Sequence, residues 1–255
     1  MRNLWIICRK ELRSYFVSPV AYLLLTMFAV IFGLFFWNAL GYFIYMGMEA
    51  QLRDEPVPMN INEQVIRPLL ANLSVVGLFF IPIITMRLFA EEKRTGTIEL
   101  LVTSPIRDGE IILGKWLAAV LLYLVLLLFS GLSFVYLFLY GNPDWKPLAI
   151  GYLGLLLQAG GLLAVGTFIS TLTRNQIIAG AATFGVCLLL WVLEWPSGFE
   201  TAAWARVLAY FSVVAHFDSF SKGLIDSKDV IYYLSLTLLA LFFTARSMES
   251  LRWRS

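Results

Sequence analysis

Three stretches of this chain carry residue types that could do chemistry. Gly109-Glu110-Ile111-Ile112-Leu113-Gly114-Lys115-Trp116 fits the first part of the phosphate-loop pattern, G-x-x-x-x-G-K. A working loop needs Ser or Thr directly after the lysine to hold magnesium, and a preceding strand with a compact turn to cradle phosphate. Here Trp116 takes that place, and Ile111-Ile112-Leu113 reads as the amphipathic lead-in to an apolar helix. A nucleotide site is therefore rejected, and no other Walker-type pattern is present. His216 is the only histidine and sits among Phe211, Phe217 and Phe220. With no cysteine or second histidine beside it, it reads as a packed or interfacial side chain rather than a metal ligand. Cys8 and Cys187 are too far apart for a metal motif or a disulfide framework, and each reads as a small buried hydrophobe. The third stretch is the charged block Glu91-Glu92-Lys93-Arg94-Thr95-Gly96-Thr97-Ile98-Glu99-Leu100-Leu101.

The elements that must position these residues are set by composition. Of 255 residues, 60% are hydrophobic and 14% charged, with a mean hydropathy of +0.79. A soluble domain carries roughly 45–50% apolar and about 25% charged residues. The apolar residues also fall in continuous runs: Val20–Tyr45, Leu73–Met86 (extendable through Phe89), Trp116–Tyr140, Leu148–Leu172, Ile177–Leu193 and Val230–Ala245. Continuous runs predict helices rather than alternating barrel strands, because a helix satisfies its own backbone in lipid. The expected fold is an all-α membrane protein with six transmembrane helices in one transmembrane domain, 1–255. Residues 1–18 precede the first run, with Leu4, Trp5, Cys8, Leu12, Tyr15 and Phe16 recurring at steps of three and four. That spacing predicts an amphipathic helix lying in the membrane interface. Ser18-Pro19 breaks it and opens the first crossing. The first run is too long for a signal-peptide core and is kept as a mature helix.

Orientation follows from the basic residues. The loops on one side hold thirteen of the 19 Lys and Arg; the other side holds Arg53, Arg67, Lys146, Arg206, Lys222 and Lys228. The richer side is expected to be cytoplasmic, with both termini inside. Gly47 to Asn72 is expected as an exposed outer loop, and 194–229 as an outer region whose apolar part, Trp204 to Phe220, dips back into the membrane. The centres of the runs hold no ionisable residue, which speaks against a proton relay, voltage sensor or intramembrane hydrolase. Gln158 is expected to bond a neighbouring helix, and Gly151, Gly154, Gly160, Gly161 and Gly166 to allow close helix packing.

The charged block lies in the inner loop 87–115. Thr95, or Thr97 after Gly96, is suited to cap a short helix, Leu100 and Leu101 give it one apolar edge, and Ser104-Pro105 ends it. By physics alone this is a solvated helix face. The block also resembles the Glu-Glu-Lys-x-x-Gly-Thr-x-Glu-Leu-Leu signature of type-2 ABC exporter permeases. Pro82, Met86-Arg87, Glu91-Glu92-Lys93, Gly96-Thr97, Glu99-Leu100-Leu101, Pro105, Gly114-Lys115, Asn175-Gln176 and Lys222 to Asp226 are most similar to the gliding-motility-associated permease subgroup.

That resemblance implies a permease subunit of a bacterial inner membrane, coupled to a separate ABC ATPase subunit that carries ATP and magnesium. It implies no cofactor in this chain, no enzyme activity of its own, a second permease copy or paralogue, contact with membrane lipids, and no nucleic acid. The segment between the second and third crossings would be the coupling helix, docking the ATPase through Glu91, Glu92, Lys93, Arg94, Gly96, Thr97, Glu99, Leu100 and Leu101. The N-terminal helix around Arg9, Lys10 and Arg13 would share the contact. An alternative from another class is a non-transporting membrane anchor or mechanotransmission subunit for a cytoplasmic ATPase.

Overall fold

The computed structural model describes residues 2–53, 60–99, 106–196 and 203–252. Among these, all regular structure is helical: α1 (Arg2–Val17), α2 (Pro19–Arg53), a single π-helical turn (Asn62–Ile66), α3 (Arg67–Thr85), α4 (Ala90–Thr95), α5 (Asp108–Gly141), α6 (Trp145–Leu172), α7 (Gln176–Val192), α8 (Ala203–Tyr210), α9 (Phe217–Ser221) and α10 (Ser227–Arg252). Five helical stretches are long and apolar enough to cross a membrane: Pro19–Leu52, Asn62–Thr95, Asp108–Gly141, Trp145–Leu172 and Ser227–Ser250. The chain is a multi-pass membrane protein. The expected fifth run forms α7, an apolar helix of 17 residues, which at 1.5 Å per residue reaches about 26 Å.

The boundaries differ from the sequence expectation mainly at the first outer loop. Gly47 to Asn72 is largely helical: α2 continues to Arg53, and helix resumes at Asn62. A glycine and scattered carboxylates weaken a helix without ending it. Pro68 comes just after the π-helical turn, at the point where the helix passes into α3. Asp54 and Glu55 lie outside the described residues.

Helix α6 is the hub, packing against α3, α5, α7, α9 and α10. Its small residues explain how. Gly151 meets Leu70, Gly154 meets Phe220, Gly161 meets Leu236 and Gly166 meets Thr85. At Gly160 the freed carbonyl accepts a hydrogen bond from Trp116 Nε1 at 2.9 Å. In lipid no hydrophobic force drives helices together, so close backbone approach and polar contacts decide which faces meet. Gln158 supplies the polar contact as expected: Ser74 Oγ donates to its Oε1 at 2.8 Å, buried between α3 and α6. Large apolar side chains such as Trp37 on α2 and Leu139 on α5 face outward instead.

Gly154 is the sharpest test of this packing, because an added Cβ would stand 2.5 Å from both Cβ and Cγ of Phe220. Gly154→Ala is expected to destabilise the chain by about 1–3 kcal/mol, read as a lower melting temperature in detergent or nanodiscs. Gly185→Ala, where nothing lies within 4 Å, should be neutral or slightly stabilising.

Candidate functional site

The charged block folds as expected into a short helix, but with its residues shifted in register. Glu91, Glu92, Lys93 and Arg94 are themselves the body of α4. Thr95 stands at its last position rather than as an N-cap; its Oγ1 bonds back to the carbonyl of Glu91 at 3.0 Å and faces Thr97 Oγ1 at 2.9 Å. Gly96 ends the helix with φ 75°, a left-handed conformation that glycine adopts without a Cβ clash. Residues 98 and 99 turn helical again. Leu100, Leu101, Ser104 and Pro105 lie outside the described residues.

A helix of six residues is too short to hold its own shape in water. It is held by the bundle. Phe89 supplies no side-chain cap; Ser170 on α6 does so across space. Its Oγ accepts from the backbone N–H of Phe89 and of Ala90, each at 3.0 Å. Lys93 Nζ donates to the carbonyl of Thr171, the next residue of α6. Thr171 Oγ1 donates in turn to Ser247 Oγ of α10 at 2.8 Å.

On its other flank α4 meets α1 and α5 through Lys115. This lysine, which the phosphate-loop fragment contains, is 1% exposed. Its Nζ lies 2.9 Å from Glu92 Oε1, 3.0 Å from Glu11 Oε1 and 2.7 Å from the carbonyl of Leu88, and 5.1 Å from the centre of the Phe89 ring. Gly114 beside it admits α1, with Ile7 Cβ 3.0 Å from where a glycine substituent would stand. The Gly-Lys pair thus belongs to helix packing and an ion network within α5.

Helix α1 follows α5 in order, Asn3 Nδ2 donating to Glu110 Oε2 at 3.1 Å and Glu11 reaching Lys115. At its far end Tyr15 OH donates to the carbonyl of Ile84 at 2.7 Å. Burial pushes the Tyr15 phenol well above its ordinary range, so it stays a donor. Arg87 lies over the Tyr15 ring at 4.5 Å, donates to Ser14 Oγ at 2.7 Å and approaches Glu91 at 3.6 Å. Between α1 and α4 runs a cleft of about 450 Å³ lined by Lys10, Glu11, Arg87, Glu91, Glu92 and Lys115, among others.

The expected site residues therefore divide. Glu92 and Lys93 turn inward, and Glu91 is partly covered. Arg94, Gly96, Thr97 and Glu99 stay on the surface, as do Arg9, Lys10 and Arg13 on the adjacent side of α1. Lys10 connects the two groups, with Nζ 3.9 Å from Glu92 and 3.7 Å from Glu11. Glu11, Lys115, Ser170 and Thr171 were not legible as site residues. Two signals were available: Glu11, the one acidic residue in a basic α1, and Gly114-Lys115 among the residues that carry the family resemblance.

A charged segment thus lies between α3 and α5 in the chain, and these contacts fix its inner face to α1, α5 and α6. Residues 5–216 match the family described as ABC-2 family transporter protein. The chain belongs to the ABC-2 transporter family. It is a permease, the membrane component of an ABC transporter. Family membership implies partnership with an ABC ATPase, since ABC-2 permeases are not themselves ATPases. No individual curated protein matches the chain.

At the other end of this ABC-2 permease, His216 behaves as a packed residue. It is 5% exposed, stacked on Tyr232 with ring centres 4.0 Å apart. Nδ1 is 2.6 Å from Asp229 Oδ1 and Nε2 is 2.9 Å from the carbonyl of Tyr210. A carbonyl only accepts, so Nε2 carries a hydrogen. Nearby, Asp218 bonds Lys222, and Arg67 at 3.2 Å. Partial burial works against its charge, but those two cations hold the Asp218 carboxyl below its ordinary value. A second cavity of about 700 Å³ opens here, bordered by Asn60, Glu63, Arg67, Asn142, Asp144 and Lys222 among others.

Ser170→Ala removes the acceptor for both N-terminal amides of α4. It is expected to cost the local helix about 0.5–2 kcal/mol, seen as faster hydrogen exchange at the amides of residues 89–95, with exchange in α6 above Ser170 little changed.

Proposed function

We propose that this permease crosses a bacterial inner membrane six times, with α7 as the short crossing. Both termini and α4 would be cytoplasmic, and α1 would lie in the interface. In this reading α4 is the coupling helix that receives the ATPase subunit, which holds ATP and magnesium. A second permease half completes the pathway. The observation that carries it is the two-faced seating of α4. Glu92 and Lys93 tie its inner face to α5 and α6, while Arg94 and Glu99 are exposed on the surface, as are Arg9 and Arg13 on α1.

That division assigns different work to residues of one motif. Arg94 and Glu99, with Arg9 and Arg13, meet the ATPase through charge-assisted hydrogen bonds. Glu92 and Lys93 hold α4 in place so that a push on its exposed face reaches the bundle. Leu100 and Leu101, outside the described residues, are assigned to the same contact by the family resemblance.

Charge reversal on the exposed face, Arg94→Glu with Glu99→Lys, is expected to weaken ATPase binding at least about tenfold, as loss of charge-assisted bonds of about 1.5–3 kcal/mol each implies. The melting temperature of the isolated permease should not move. Affinity is measured by titrating the ATPase onto permease in nanodiscs. Undiminished binding by the reversed variant would sink the docking assignment.

A further inference from the structure

We infer that Lys115 is a positioning residue for coupling: it is the joint through which movement of α4 is passed to α1 and α5, and along α5 to the opposite face. The inference rests on α4 being the ATPase contact and goes beyond it by naming the transmission point.

An ammonium has three donors, and at Lys115 all three have acceptors. Glu11 belongs to α1, Glu92 to α4, and the carbonyl of Leu88 to the turn leading into α4. Lys115 itself belongs to α5. One buried atom therefore ties three helices together. An apolar contact is non-directional and lets helices slide. A desolvated ammonium shared by two carboxylates does not, because separating it from either leaves a buried charge without its partner.

The direction of transmission follows from α5. It runs unbroken from Asp108 to Gly141, so the backbone from Lys115 to Gly141 spans about 39 Å at 1.5 Å per residue. Gly141 and Asn142 line the 700 Å³ cavity at the far end. A displacement applied at Lys115 is thus delivered to the wall of that cavity. Ser170 and Thr171 hold α4 against the hub helix α6; Lys115 adds the outer pair, α1 and α5.

The test uses the permease–ATPase complex in nanodiscs, with spin labels on non-natural ketone side chains at Tyr140 and Ile225. Both are exposed at the far end, at 77% and 57%, and Cys8 and Cys187 stay untouched. In the wild type, trapping with ATP and vanadate should change the label-to-label distance by several ångströms. The neutral variant E11Q/E92Q/K115M nearly keeps side-chain size and removes the three charges of this network together, so that none is left buried without its partner. At saturating ATPase the variant still forms the complex, because Ser170 and Thr171 still hold α4. Its distance change should fall below half that of the wild type.

A full distance change in the neutral variant overturns the inference, and so does a wild-type complex whose labels never move. Lys115→Met alone leaves Glu11 and Glu92 facing each other unneutralised. It should lower the melting temperature as well as the distance change, and unchanged values for both would equally overturn the joint. Failure of the docking assignment is read separately, from ATPase binding by the Arg94 and Glu99 variants.

Discussion

The structure depends on how a helix too short to stand alone is held at the edge of the bundle. Six residues cannot offset the nucleation cost of a helix, so α4 exists because other elements complete it. Ser170 gives it an N-terminal acceptor, the Thr171 carbonyl takes the Lys93 ammonium, and Lys115 takes Glu92. Each of these partners lies far away in sequence. The shape of the motif is therefore a property of the assembled bundle, and anything that reorders α1, α5 or α6 at this end must also move α4.

How much of this was legible in sequence depends on the range of the interaction. Run length and charge exclusion act locally, so the five helices long and apolar enough to cross a membrane were readable from single segments. So were the roles of Gln158 and of the α6 glycines, because small or amide side chains in an apolar helix have few other uses. The position of the short helix was readable too, though not its register: the cap was placed at Thr95 or Thr97, whereas Glu91 to Arg94 are themselves helical and the left-handed Gly96 closes that helix. The first outer loop was read as irregular from its carboxylates and two prolines, but Glu49 lies within α2 and Glu63 within the π-helical turn, since charge alone does not end a helix. Lys115 and Ser170 carried no local sign of their function. A lysine ahead of an apolar run ordinarily marks a membrane boundary, and a serine near a helix end ordinarily serves its own helix. Here their partners lie 104 and 80 or 81 residues away.

The polar contacts are distributed by depth. In the middle of the bundle a neutral amide–hydroxyl pair, Gln158 with Ser74, is the polar link between α3 and α6. Buried ionisable side chains are placed near the ends: Lys115 with Glu11 and Glu92 at one, His216 beside Asp229 at the other. A charge at the centre of the bilayer costs at least about 2.5–3.5 kcal/mol on insertion scales, and less toward the interface. Ends are where an ion pair can be dry enough to be strong without opposing insertion. Asp229 gains further from its place in the first turn of α10, where the helix dipole favours negative charge.

This distribution separates two kinds of mechanical link. Along the membrane normal the links are the covalent helices, α5 and α6 above all, which resist compression along their axes. Across the bundle at mid-depth, packing is by glycine against apolar side chains such as Leu70, Phe220 and Leu236, contacts that permit small sliding because they have no preferred direction. At the α4 end the lateral links are directional and charged, so α1, α4 and α5 are constrained to move together there. A force received at that end is then resisted sideways and transmitted lengthwise, and the freedom to respond lies in the sliding middle. Under the proposed docking, the sequence motif on α4 supplies the contact, while Glu11, Lys115 and Ser170, outside the motif, decide whether the contact performs work on the membrane helices.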